Sequence, residues 1–363
     1  MPPTPDVGSM TQWQLVRRRF ARHKLAVASV SLLLVLYAAA LLADFVAPYD
    51  PGDKHLGHLY APPSRLAWSF EQGLHTFAYQ MARDPVTRSP AYVEQREFPV
   101  RMALLPRGEP YRLCGLLPMQ RRLFGVAADA PPGSVFFLLG ADRYGRDIFS
   151  RIVHGARISL SIGLVSIAVS FVLGLSIGGV CGYLGGPIDM LVQRWIEILQ
   201  AIPQLPLWIA LGAILPADWP PLWTYLGITI VLSFIGWTSL ARTVRSKLLA
   251  LREEDYAVAA RLLGASHARI IFRHLIPGFT SHIIVSLSLA IPGMILGETA
   301  LSFLGLGLRP PLVSWGVMLQ DCLNLDTLVR HPWLITPTLF VVLTVICFNF
   351  VGDGMRDAAD PYR

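Results

Sequence analysis

Residues 253–277 read EEDYAVAARLLGASHARIIFRHLIP. The stretch is polar and lies between two strongly apolar segments. Two sets of residues recur at helical spacing: Tyr256, Ala259, Ala260 and Leu263, then Ile270, Ile271, His274 and Leu275. Gly264 interrupts the pattern and Pro277 closes it, which predicts two short amphipathic helices with a bend at the glycine. Helices of this size are marginal alone in water and need a surface to lie on. Such a stretch reads as an interfacial helix on lipid, as a solvated loop helix, or as a docking element for another protein.

The chain around it is apolar. Its 363 residues are 53% hydrophobic and 15% charged, with mean hydropathy +0.49. Soluble domains carry about 25% charge, so the composition is that of a polytopic membrane protein. Apolar spans are expected at residues 25–47, 158–184, 190–215 and 222–241, from about Phe279, and at 333–351. The first run is too long for a signal-peptide core and reads as an uncleaved anchor. Arg17, Arg18, Arg19, Arg22 and Lys24 precede it and place residues 1–24 in the cytoplasm. The fourth span exits at Arg242, Arg245, Lys247 and Arg252, and Arg261, Arg269 and Arg273 follow. Charge bias and an even number of prior crossings therefore both put 253–277 in the cytoplasm. The expected fold is all-α and polytopic, with six transmembrane helices and both termini cytoplasmic. Its expected parts are a cytoplasmic segment 1–24, a first helix 25–47 and an extracytoplasmic loop 48–157. A five-helix core 158–355 carrying the loop 253–277 follows, then a tail 356–363.

The long loop holds an insert, residues 55–124, rich in Pro, Arg and aromatic residues, expected to form a small lobe or an extended cover. His55 and His58 form an H-x-x-H pair and His75 follows, but without acidic or cysteine partners at ligand spacing no metal site is expected. The four cysteines, Cys114, Cys181, Cys322 and Cys347, also lack such spacing. Cys181 and Cys347 fall in spans; Cys114 and Cys322 share the outer side in this topology, where a disulfide is open to them.

Inside the spans, Gly174, Gly178, Gly182 and Gly186 recur every four residues, a stripe that lets another helix approach. Residues 174–178 also match G-x-S-x-G, but Ser176 lies inside an apolar helix instead of the strand-to-helix turn a hydrolase needs. Arg194 and Glu197 can pair across one helical turn. Pro203 and Pro206 break the third span and free backbone carbonyls, so Gln200, Pro203 and Gln204 are candidate pathway residues. Glu298 lies roughly 28 Å along its helix from Phe279, and either bonds within the protein or lines an exit. Before the second span, Asp147 is spaced to meet Arg151 on a short interfacial helix.

Several classes are excluded. The net charge is +7, but the basic residues flank apolar spans instead of forming one patch, so nucleic acid is a poor partner. The only lysines are Lys24, Lys54 and Lys247; none follows a glycine, so no G-x-x-x-x-G-K-[ST] loop exists and this chain hydrolyses no ATP by that route. An intramembrane protease would need a base at the depth of Ser176, whereas His154 and His282 lie at span ends. An ion-coupled carrier would be expected to show inverted repeats and mid-membrane acids.

Ala259-Ala260, three residues, Gly264, nine residues, then His274-Leu275-Ile276-Pro277 resembles the EAA loop of ABC-importer permeases, with Val258 where that motif has glutamate. The phrases LGADRYGRDIFSRIVHGARISL from Leu139 and GETALSFLGLG from Gly297 resemble the dipeptide/oligopeptide/nickel branch of that family. So do Arg309-Pro310-Pro311, Ser314-Trp315-Gly316 and the tail from Gly352. The resemblance covers nearly everything except 55–124. It implies a transport subunit with no catalytic residue and no cofactor of its own. ATP and Mg would be bound by two cytoplasmic ATPase subunits. Asp255, Tyr256, Ala259, Ala260, Gly264, Ala265, His274 and Pro277 would form the ATPase-coupling loop. A second permease, an extracytoplasmic solute-binding protein and the lipid bilayer of the bacterial inner membrane complete the implied setting. Peptides or peptide-like solutes are the implied cargo, with nickel complexes, opines or sugars as the alternative.

Overall fold

The computed structural model describes residues 12–70, 73–83, 90–131, 133–216 and 218–359. Residues 1–11 of the expected N-terminal segment and 360–363 of the expected tail lie outside them. In chain order the helices are α1 (Gln12–Arg22), α2 (Lys24–Leu41) and α3 (Ala43–Val46). Six strands follow: β1 (Ala67–Ser69), β2 (Gly73–Arg83), β3 (Pro90–Leu104), β4 (Arg107–Leu113), β5 (Leu117–Arg121) and β6 (Phe124–Val126). Then come α4 (Ile148–Leu184), α5 (Gly186–Ala201), α6 (Gln204–Ile214), α7 (Pro221–Leu251), α8 (Asp255–Leu262) and α9 (His267–Arg269). The described chain ends with α10 (Thr280–Phe303), α11 (Trp315–Leu319), α12 (Leu325–Arg330) and α13 (Thr336–Ala359).

Among the described residues, five helical stretches are long and apolar enough to cross a membrane: 24–41, 148–184, 221–251, 267–303 and 332–359. A sixth follows if α5 and α6, which meet at 92°, count as one broken span. The break falls at Ile202 and Pro203; Pro206 sits in the first turn of α6, where a missing N–H costs nothing. Residues 148–159 are not a separate interfacial helix but the start of the 37-residue α4.

The all-α expectation fails in the insert, which is a β lobe. Aromatic and β-branched residues spaced among polar ones suit a pleated, half-buried surface. Strands β1-β2-β3-β6 form an antiparallel sheet in that order, and β4-β5 a separate hairpin. The long β2–β3 ladder pairs His75 with Arg101 and Phe77 with Pro99, then slips so that Ala78 faces Gln95. Pro99 has no N–H to give, and the ladder bulges there. Thr76 and Val100 are buried, and the Thr76 hydroxyl donates to the Arg65 carbonyl at 2.9 Å.

The chain divides into two compact units. The second comprises residues 35–161 and 299–342. It includes a small core of Ala61, Phe137 and Ala141 with Tyr49 and Tyr92 against it. The Tyr60 N–H donates to the Asp142 carbonyl at 2.9 Å and the Ala141 N–H to the Ala61 carbonyl at 2.8 Å. Residues 55–61 thus belong to the scaffold; the lobe proper begins after them. Cys114 and Cys322 are both free thiols.

The first unit comprises 1–34, 162–298 and 343–363. Its glycine stripe lies against α7. A Cβ at Gly174 would stand 2.9 Å from Leu240 Cβ, one at Gly182 2.8 Å from the Arg245 carbonyl oxygen, and one at Gly178 on the Ala241 carbonyl. Small residues bring the two backbones together, and the Ser233 hydroxyl donates to the Ser166 carbonyl at 3.0 Å across the gap. The row stops there: a Cβ at Gly186 would meet nothing within 4 Å.

Candidate functional site

The segment 253–277 belongs to the first unit. α7 stops at Leu251, Glu254 precedes α8 in extended conformation, and Asp255 sits in the first turn, where a carboxylate suits the helix dipole. α8 ends in a Schellman turn: the Gly264 N–H donates to the Arg261 carbonyl at 3.0 Å, and the Ala265 N–H to the Ala260 carbonyl at 3.1 Å. The turn needs a left-handed residue, and Gly264 has φ +79°. Ser266 then caps the next turn, its hydroxyl accepting from the Arg269 N–H at 3.4 Å. The chain continues through a π-turn, Ile270–Leu275, and a 3₁₀ turn, Ile276–Phe279, into α10. Pro277 therefore does not end the second helix. It occupies the start of the 3₁₀ turn, where no N–H is needed, and the helical stretch 267–303 runs on as one candidate span.

The inward face of this elbow is Ala257, Ile270, Ile271, Leu275 and Phe279, buried with Tyr183, Leu240, Val244 and Leu248. Ala260 and Ala265 pack on the same cluster. Polar contacts fix the elbow on the end of α4. Arg252 donates to the Tyr183 carbonyl at 3.2 Å, the Arg261 guanidinium lies 5.8 Å from the Tyr183 ring centre, and His267 Nδ1 lies 3.4 Å from the Tyr183 hydroxyl. Nearby, Asp189 of α5 accepts from Nε and Nη2 of Arg245 on α7.

The outward face of α8 includes two of the apolar residues in its periodic set, Tyr256 and Leu263. Tyr256 and Leu263 are 45% and 88% exposed, and Leu262 and Phe272 are 83% and 51% exposed. Asp255, Ala259, Gly264, His274 and Pro277 are exposed as well. The periodic residues thus divide: Ile270, Ile271 and Leu275 are buried and Ala260 packs on them, whereas Tyr256, Ala259, Leu263 and His274 are exposed. Leu262 and Tyr183 carried no role in the sequence reading, and Arg261 counted there only toward the charge bias. The readable signal was that α8 is apolar nearly all round, from Tyr256 to Ala260 and again at Leu262 and Leu263. A helix apolar on all sides has two surfaces to cover.

The pathway candidates are scattered. The Gln200 amide donates to the Thr238 hydroxyl at 3.2 Å, while Pro203 and Gln204 are exposed on the broken span. Glu298 is fully buried and engaged. Arg194 and Glu197 pair at 3.0 Å on the surface.

In the second unit, the turn 142–147 gathers charge. Asp142, 2% exposed, accepts from the backbone N–H groups of Tyr144 at 2.8 Å and Arg146 at 3.0 Å, and from Arg146 Nε at 2.7 Å. Arg151 also pairs with Asp142. The spacing had offered Asp147 to Arg151. Instead, Asp147 Oδ2 caps the start of α4, accepting from the Ser150 N–H at 2.7 Å and its hydroxyl at 2.6 Å. Complete burial pushes the Asp147 pKa up to about 7, against the lowering effect of those bonds. Trp315 closes the region, its indole N–H donating to the Ile152 carbonyl at 3.0 Å and its backbone N–H to the Ser159 hydroxyl at 3.1 Å.

Sequence comparison places these features in one family. Binding-protein-dependent transport system inner membrane components match residues 170–362, which include the whole elbow. The N-terminal transmembrane domain of oligopeptide transport permease C matches residues 11–63. The dipeptide transport system permease protein DppC of Bacillus subtilis is 40% identical over 63% of this chain and 70% of its own length. The glutathione transport system permease protein GsiD of Pectobacterium atrosepticum is 39% identical over 99% of this chain and 95% of its own. The second alignment spans the β lobe, so the likeness extends through the insert. A solved methionine ABC transporter, in an inward-facing form, superposes with TM-score 0.43 at 19% identity, over 59% of this chain and 98% of that one. With an apolar helical body, an elbow carrying the Ala-Ala and glycine pattern, and family matches over both ends, the chain belongs to the binding-protein-dependent ABC-importer permeases of the OppC/DppC type.

Proposed function

We propose that this permease imports peptides or peptide-like solutes across the bacterial inner membrane. It would work beside a second permease, two cytoplasmic ATPase subunits and an extracytoplasmic solute-binding protein. The chain would hold no cofactor; ATP and Mg would sit in the ATPases. Residues 1–24, 253–277 and 356–363 would face the cytoplasm, and 48–157 the outside. Support for the cargo comes from relatives named for dipeptides, oligopeptides and glutathione.

The observation that carries the reading is the uncovered apolar face of the elbow: Tyr256, Leu262, Leu263 and Phe272. A patch of this kind beside a rigid anchor marks a protein interface. Asp255, Ala259, Gly264, His274 and Pro277 of the same segment are exposed too, and Ala260 and Ala265 tie it to the core. When the ATPases close on ATP, a docked elbow moves with them. Its inward face is packed on α4 and α7, so the motion passes into the spans. Substrate and ATP then shift the populations of inward- and outward-open states.

Topology is tested with Ser266→Cys in intact cells, in a Cys114→Ser, Cys322→Ser background because both native thiols are free and would face outside. A membrane-impermeant maleimide should leave it unlabelled until the membrane is opened with detergent. Labelling from outside would place the elbow on the wrong face and end the proposal. Uptake by the reconstituted complex, with its binding protein and a dipeptide, tests the cargo.

A further inference from the structure

The β4–β5 hairpin points its apolar tip along the end of α2. The Leu123 N–H donates to the Phe45 carbonyl at 2.7 Å, and Arg122 donates to the Ala47 carbonyl at 3.0 Å. Further down the hairpin, the Cys114 N–H donates to Asp44 Oδ2 at 3.3 Å, and its thiol lies 3.3 Å from the Leu41 carbonyl. From base to tip the hairpin thus tracks residues 47 to 41, back toward the apolar stretch of α2. Asp44 is fixed in turn by Arg157, 2.8 Å away, which also donates to the Leu41 carbonyl at 2.9 Å. The tip's direction is therefore set by bonded groups.

What the tip presents is leucine. Leu116 and Leu117 are 82% and 62% exposed, two and three residues on from Cys114, whose neighbour Leu41 is itself 62% exposed at the end of a candidate span. Soluble turns carry polar residues; this one places Leu113, Cys114, Gly115, Leu116 and Leu117 in a row. From Pro110 to Arg121 there is no acidic residue, while Arg112 and Arg121 are exposed. Arg112 pairs across the hairpin with Pro118, one step from the tip, and Arg107 faces Arg121 at the base. At about 3.3 Å per residue, the base pair stands roughly 13 Å above the tip. An apolar end, a cation one step behind it and more cations above match the order of acyl chains, phosphates and water.

We infer that the β4–β5 hairpin is a membrane-interface anchor. Leu116 and Leu117 enter the outer leaflet beside α2, and Arg112 meets lipid phosphate. The inference rests on α2 being a span. The occupant is lipid because the leucines adjoin Cys114, which reaches the end of that apolar helix at Leu41, and because the tip-side stretch 110–121 is cationic and free of acids, which suits anionic headgroups.

The test uses the full transporter complex in nanodiscs of phosphatidylethanolamine and phosphatidylglycerol. Nitroxide labels are placed at Leu116→Cys, at Glu109→Cys near the base and at Val35→Cys on the exposed side of α2, in a Cys114→Ser, Cys322→Ser background. The label at 116 should collide more with oxygen than with a water-soluble nickel chelate, as at 35, and the label at 109 should do the reverse. A label at 116 that behaves like the one at 109 overturns the anchor. So does one shielded from both reagents, which would mean a protein partner covers the tip. A label at 35 without the lipid signature removes the span itself and the anchor with it. Leu117→Cys repeats the test if Leu116→Cys folds poorly.

Discussion

Gly264 and Gly145 hold the backbone at nearly the same angle, φ +79° and +71°, in opposite surroundings. A Cβ at Gly264 would meet nothing within 4 Å, whereas one at Gly145 would run into the His55 carbonyl. The first turn carries exposed apolar side chains that no described residue covers. The second is wrapped around Asp142, whose acceptors are filled by Arg146, Arg151 and two backbone N–H groups. One turn is finished by its own fold; the other, on the proposed function, is finished by something that docks. Substitutions at the finished turn should therefore cost stability, and substitutions at the open one should cost coupling.

The largest effect is expected from Asp142→Ala. The side chains of Arg151 and Asp142 are 4% and 3% exposed, so removing the carboxylate leaves a buried guanidinium uncompensated. Breaking a buried pair on one side costs about 3–5 kcal/mol. Folded yield in detergent, followed by size-exclusion chromatography, should collapse. A normal yield and melting temperature would mean water reaches the turn, and the contrast with the elbow would weaken.

The glycines give the next and most direct test. Gly145→Ala combines a left-handed backbone, costing about 1–2 kcal/mol, with an overlap worth roughly 1–3 kcal/mol more. It should lower the melting temperature and the yield. Gly264→Leu carries only the backbone term, and its side chain has open space. It should assemble and reach the membrane, yet hydrolyse ATP in the reconstituted complex without moving substrate, because the bend that seats α8 is distorted. Normal uptake by a well-expressed Gly264→Leu variant would contradict the coupling role.

How much of this was legible in the sequence depended on whether local chemistry or distant packing decides. Gly264 as a bend was readable, because a Schellman turn is written in neighbouring residues. Which face of α8 turns inward was not. That is decided by packing with Leu248, on the preceding helix, and with Tyr183, far away in sequence, which take Ala257 and leave Tyr256 outside. The spans were legible from hydropathy, but the length of α4 was not, since the charges at 142–151 resembled an interfacial break until folded around Asp142. The Asp147–Arg151 spacing misled for the same reason: helical spacing shows which residues can meet, and Asp142, nine positions from Arg151, is a competitor that the period does not show. The β lobe was missed because its strands are short or bulged and its alternation is interrupted at Pro99.

The smallest effect on stability, and the sharpest on the comparison, is expected from Leu262→Ser with Leu263→Ser. Both side chains are more than four-fifths exposed, so the isolated permease loses almost no buried area. Its melting temperature should stay within the scatter of surface substitutions, about 0.5 kcal/mol. Buried under an ATPase, the same pair would contribute roughly 1.5–3 kcal/mol per leucine, so co-purification of the ATPase should fall by tenfold or more. If the double variant melts early, the leucines are packed within this chain and the elbow is as finished as the turn at Gly145. If it is stable and still holds its ATPase, the docking face lies elsewhere on the elbow, and Phe272 and Tyr256 become the residues to change. Only a stable permease that loses its motor separates the two turns as their surroundings suggest.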